Sequence, residues 1–130
     1  MGAAENVELV RRGFEAFNAG DMASLSELFA EDAVWHVAGS GVLSGTKQGR
    51  GAILAYFGEL GVRTQGSFQA TVQDLVGGED HTVAIQQTHA QANGKTLDMA
   101  AVITFVVRDG KVTEGREFFE DTGKADDFWA

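Results

Sequence analysis

The chain has 130 residues, 44% of them hydrophobic and 22% charged, with a formal net charge of -9. That length suits one average domain around one core, and no apolar run approaches the ~18 residues needed to cross a bilayer. The ten Lys and Arg are scattered and no cysteine is present, which speaks against a nucleic-acid partner and excludes disulfides, thiolate metal sites and cysteine nucleophiles.

Residues 1–130 therefore read as a single soluble domain with no membrane span. The start, Met1-Gly2-Ala3-Ala4-Glu5-Asn6, lacks a basic segment followed by an apolar stretch, so no secretory signal is expected. Asn6 stands where a myristoylation signal needs Ser or Thr, and a cytoplasmic location is the expectation. With no proline and 17 glycines, turns must rely on Gly, Asn and Asp.

Between Glu5 and Ala19, Val7, Val10, Phe14 and Phe17 recur at three- and four-residue steps and predict a helix with one buried stripe. Asn18-Ala19-Gly20 stops it. Asp21 caps a second short helix whose buried face is Leu25, Leu28 and Phe29, ending at Glu31-Asp32. The run Ala33 to Val37 is β-prone, and Gly39 to Gly51 reads as a loop carrying five glycines. A third helix follows, with Ile53, Tyr56, Phe57 and Leu60 at helical spacing.

From Ser67 the period changes to two, which predicts strands at Phe68 to Val76, Thr82 to Ala92, Thr96 to Arg108 and Lys111 to Glu120. Asn93-Gly94 and Asp109-Gly110 are hairpin signals, and Gly77-Gly78 with Glu79-Asp80 makes a longer turn, so the four strands form an antiparallel meander. Residues 125–130 form a short final helix bearing Phe128 and Trp129. Helices first and a long-stranded meander afterwards mean α+β, with helices covering one face of a curved sheet. The other face carries Val102, Thr104, Val106 and Phe118, and its expected cover is a second copy of the chain.

Five segments then carry a resemblance: Phe17-Asn18-Ala19-Gly20-Asp21, Leu28 to Trp35, Gly49-Arg50-Gly51-Ala52-Ile53, Asp109-Gly110-Lys111-Val112, and Arg116-Glu117-Phe118-Phe119. In order and separation they resemble landmarks of the SnoaL-like branch of the nuclear transport factor 2-like superfamily. That superfamily also holds steroid delta-isomerase, limonene-epoxide hydrolase and polyketide cyclases. The resemblance covers nearly the whole chain. It implies a cone-shaped α+β barrel, three N-terminal helices on a curved and mainly antiparallel sheet, a closed apolar pocket at its centre, and commonly a homodimer.

The same resemblance narrows the chemistry. Steroid isomerases carry an aspartate base where this chain has Val37, a protonated aspartate near Ile103 and a tyrosine donor at about Gly13, so their mechanism is not expected. Limonene-epoxide hydrolases carry a tyrosine and an asparagine at Trp35 and Val37, and an arginine and aspartate at about Gln86 and Thr88. Their second aspartate falls at Glu117, which keeps a carboxylate. The SnoaL-like cyclases use a histidine and an acidic residue, and His89 is the nearest histidine in sequence.

In the steroid isomerase register Gly115, Glu117, Phe119 and Asp121 point inward, with Met99, Ala101 and Ile103 on the neighbouring strand. This takes Arg108-Asp109-Gly110 as a three-residue loop in which Val107 pairs with Lys111 and Glu117 with Ala101. Glu117 then lies among apolar groups, where desolvation raises its pKa toward acid-base work near neutrality. Alternatively it pairs with Arg50, Arg63 or Arg116, or sits at the pocket mouth. Asp121 is either a second functional carboxylate or the cap of the last helix.

If Asn93-Gly94 is a two-residue turn, His89 and Asp98 become cross-strand neighbours on one face. They are either a catalytic His-Asp pair or, on the outer surface with Gln87 and Gln91, a structural polar pair. His36 should face away from the pocket, and His81 is solvated in a turn. Phe14, Phe17, Trp35, Phe57, Thr88, Met99, Ile103 and Phe119 are the expected substrate-binding wall. The histidines share no helical face, and the glycine loop holds no phosphate-cradling motif, so neither a metal nor any cofactor is expected. The reading is an enzyme acting by acid-base chemistry on a small hydrophobic molecule, of isomerase, cyclase or epoxide hydrolase type. The alternative is a non-catalytic ligand-binding or dimerising domain.

Overall fold

The computed structural model describes residues 2–130. In chain order the elements are α1 (Ala3–Ala19), α2 (Met22–Glu27), β1 (Phe29–Val37), β2 (Gly45–Gln48), α3 (Arg50–Arg63), β3 (Gln69–Gly77), β4 (Thr82–Ala92), β5 (Lys95–Arg108), β6 (Lys111–Phe119) and α4 (Thr122–Trp129). The strands form one sheet in the order β2-β1-β6-β5-β4-β3. All neighbours are antiparallel except β1 and β6, which run parallel. Helices α1 and α3 cover one face of this curved sheet, α1 against β3 and β4 and α3 against β1 and β2. The result is the expected α+β cone. Among the described residues no helix is long and apolar enough to cross a membrane.

Local chemistry explains most boundaries. Gly20, at φ 71°, ends α1 in the left-handed conformation that glycine adopts at little cost. Asp21 caps α2 by accepting from the Ser24 backbone N–H at 3.1 Å. Asn93-Gly94 and Asp109-Gly110 both have positive φ at both positions, the type I′ geometry that matches strand twist. In the first of these turns Ala92 pairs with Lys95 and His89 with Asp98, as expected.

Three sequence readings are corrected. Phe29 opens β1 rather than closing the second helix, which ends at Glu27; three apolar residues at helical spacing also fit the junction of a helix and a buried strand. The glycine-rich loop contains β2, paired to β1 from Val34↔Gln48 to Val37↔Gly45. The turn before β6 has two residues, with Arg108 opposite Lys111, and a bulge at Thr113 then shifts the register so that Glu117 lies opposite Ile103 instead of Ala101. One such shift moves a strand's side chains to the other face. Without the Thr113 bulge Glu117 would point away from the helices; with it, Glu117 points in.

A candidate acid-base site

The inner faces of β1, β4, β5 and β6 and the buried stripes of α1 and α3 line an apolar cavity with about 60 Å³ open to water-sized molecules. Phe14, Phe17, Trp35, Phe57 and Ile103 line it, together with two polar side chains, Gln86 and Glu117. The aromatic wall is held by edge-to-face contacts, with ring centroids 5.2 Å apart for Trp35 and Phe57 and 5.5 Å for Phe17 and Phe57.

Glu117 is 6% exposed. The indole Nε1–H of Trp35 donates to its Oε1 at 3.1 Å, and the hydroxyl of Tyr56 donates to the same oxygen at 3.0 Å. Among the described residues no donor reaches Oε2. Burial raises the Glu117 pKa, against the opposing pull of the Trp35 and Tyr56 hydrogen bonds and of the Lys47 charge. Tyr56 is pushed well above 10, first by burial and then by the neighbouring carboxylate, so it stays a neutral donor. The Lys47 ammonium sits 5.2 Å from the Tyr56 ring centroid while donating to the Leu43 and Ser44 carbonyls, which ties the preceding loop to the back of the site.

The backbone places these groups. Trp35 on β1 pairs with Gly115 on the parallel strand β6, and a Cβ at Gly115 would overlap the Trp35 ring. The glycine lets the indole lie flat on β6, from where its N–H reaches the side chain two residues along. Neither Arg50 nor Arg63 touches Glu117: Arg50 donates to the Phe29 carbonyl and Arg63 bonds Glu59.

The other acid-base candidates lie elsewhere. Asp121 caps α4, accepting from the Lys124 backbone N–H at 3.0 Å. His89 and Asp98 are paired but exposed on the outer sheet face, where Asp98 accepts from Gln87 at 2.8 Å. Asp121 is thus placed as a helix cap, and His89 and Asp98 lie on the face away from Glu117. Of the expected wall, Thr88 is buried as the hydrogen-bond partner of Gln86. Met99 packs with Ala125 and Phe128 in a second cluster, and Phe119 is partly buried between the two clusters. None of the three lines the cavity.

Two polar groups escaped the sequence reading. Tyr56 looked like one member of an apolar helical stripe, and Gln86 like a lost arginine. The alternation of β4 was the available signal for Gln86, since it shares a face with Ala84 and Thr88.

The family model for the SnoaL-like domain matches residues 10–115. The chain belongs to the SnoaL-like family. It is 32% identical over 126 residues to an uncharacterized protein of Mycobacterium tuberculosis, covering 96% of each chain. The structure of Bal32a from a soil-derived mobile gene cassette is similar at 42% identity, with a TM-score of 0.96 over 98% of both chains. A nuclear transport factor 2-like protein from Burkholderia xenovorans, at 24% identity and a TM-score of 0.84 over 100% of this chain and 99% of that one, shares the fold. This SnoaL-like chain thus has the cone of the wider superfamily.

Proposed function

We propose that this chain is a cofactor-independent enzyme that works by acid-base chemistry on a small hydrophobic molecule, of isomerase, cyclase or epoxide hydrolase type. The observation that supports this reading is a buried carboxyl on a mostly apolar cavity wall, with Oε1 held by Trp35 and Tyr56 and Oε2 without a partner among the described residues. Ionised, Oε2 takes a proton from a carbon beside a carbonyl, and the C–H electron pair becomes an enolate. The protonated carboxyl then returns that proton to another atom of the ligand and regains its charge. Burial, by disfavouring the charged form, brings the two protonation states closer to balance near neutral pH. Trp35 and Tyr56 keep the carboxyl from rotating, and the aromatic wall excludes water.

In the same reading the protein is a homodimer. Val102 and Val106 are half-buried on the outer face and Phe118 is 48% exposed, an apolar strip that a second copy covers.

A screen of hydrophobic ketones, epoxides and lactones, run on wild type, Glu117→Gln and His89→Gln, tests the enzyme. Gln keeps size and hydrogen bonding but cannot exchange the proton, so turnover should fall about 100- to 10,000-fold for Glu117→Gln and little for His89→Gln. A Glu117→Gln enzyme within roughly threefold of wild type removes Glu117 from the mechanism. No turnover in any class favours the non-catalytic binding domain, a reading suggested by Gly13, Val37 and Ile103 where steroid isomerases keep their acid-base groups.

A further inference from the structure

Gln86 is 2% exposed, and its side chain is one of two polar groups on the cavity wall. Its Nε2 donates to the Thr88 hydroxyl at 2.9 Å, but its Oε1 is fully buried and has no hydrogen-bond partner among the described residues. Native interiors rarely leave a buried amide oxygen unpaired, because desolvation without a partner costs about 1–3 kcal/mol. Turning the amide end for end would give Oε1 the Thr88 hydroxyl and leave Nε2 as the orphan, so one end lacks a partner either way. The bond to Thr88 uses one end of the amide and leaves the other end without a partner. The fold accounts for the end bonded to Thr88, and a ligand entering the cavity accounts for the other.

We infer that Gln86 is the specificity-determining residue for the ligand, and that the ligand carries a hydroxyl that donates to Gln86 Oε1. This rests on the cavity being the ligand site. Gln86 lies on β4 opposite Ala101, Glu117 on β6 opposite Ile103, and β5 separates them. Two strand spacings make that separation roughly 10 Å between backbones. The hydroxyl thus sits several bonds from the atom that meets Glu117, and the substrate class is a hydrophobic molecule with a remote hydroxyl besides its reacting centre. In the cavity the ligand's hydroxyl gives up water and gains an acceptor that otherwise has none. A methyl or ether in its place would leave Oε1 orphaned. Discrimination against analogues that lack a donor is strong in such sites for this reason.

Phenol, anisole and toluene are near-isosteric probes that respectively donate, only accept, and do neither. Their affinities for wild type and Gln86→Met can be measured by NMR titration of the cavity methyl signals. The expected result is that phenol binds wild type roughly five- to tenfold more tightly than anisole or toluene, and that Gln86→Met erases the preference. Equal binding of all three to wild type would overturn the role of Gln86 while leaving the cavity as a ligand site. Anisole matching phenol above toluene would overturn the donor assignment. A phenol preference that persists in Gln86→Met would overturn the role of Gln86 and assign the hydroxyl to Glu117 or to the Thr88 hydroxyl that the substitution frees. Binding of none of the three would overturn this inference and the ligand-site reading together. The ranking on wild type needs no variant, so the test survives a Gln86→Met protein that does not fold.

Discussion

The Tyr56 hydroxyl and the Trp35 indole both donate to Oε1 of Glu117, at 3.0 and 3.1 Å, from residues 61 and 82 positions away in the chain. Both bonds favour the ionised carboxyl, as does Lys47 behind the Tyr56 ring, while burial opposes it and prevails. Tyr56→Phe should therefore move the Glu117 titration further up, and Lys47→Met should push the same way by removing a charge, less strongly at high salt. The two variants are compared with wild type by the pH dependence of turnover or of a cavity NMR signal. A midpoint that stays put in Tyr56→Phe would mean the hydroxyl does not support the carboxylate.

Stability should carry the same signature. Because the folded pKa of Glu117 is raised, the folded chain keeps this proton where the unfolded chain, near ~4.3, has released it. The contribution is fully present below the unfolded value and is lost as pH rises through the folded value. Wild type should thus lose stability relative to Glu117→Gln as pH increases from about 4, levelling off above the folded midpoint. Parallel thermal melts across pH check this, and a constant difference between the two proteins would contradict it.

Gly115 and Trp35 are coupled by contact. Gly115→Ala forces its new methyl into the indole, which should cost about 1–3 kcal/mol and move the Trp35 N–H off Glu117. Trp35→Ala should cost about 3–5 kcal/mol, the usual loss for truncating a buried tryptophan. Denaturant midpoints measure both. An unchanged midpoint for Gly115→Ala would show that the indole has room to shift.

Much of this was legible where the signal was local. Asn93-Gly94 fixed the β4–β5 register, and with it the outward placement of His89 and Asp98. The stripe of Val10, Phe14 and Phe17 marked α1. What escaped depends on distant pairing. β2 is four mostly exposed residues with no alternation, a strand only because the edge of β1 offers it partners. The bulge at Thr113 carries no sequence mark, so the β6 register was misread by two residues although the face of Glu117 was right. Tyr56 and Gln86 are a polar tip on an apolar stripe and a polar residue at an inward strand position; only the folded neighbourhood shows what each one touches.

The outer face offers a test of assembly. Wild type should sediment as a dimer at micromolar concentration, and Phe118→Lys, which puts a charge into the apolar strip, should be a monomer. A wild-type monomer at that concentration would leave the strip without its proposed partner.

Site-resolved carbon NMR of the Glu117 side-chain carboxyl through a pH titration tests, without knowledge of the substrate, whether Glu117 is a buried proton carrier. The expected midpoint lies clearly above the ordinary ~4.3 of a solvated glutamate. A midpoint at or below that value would show that the hydrogen bonds of Trp35 and Tyr56 outweigh burial, and that Glu117 is a fixed structural carboxylate and no acid-base group.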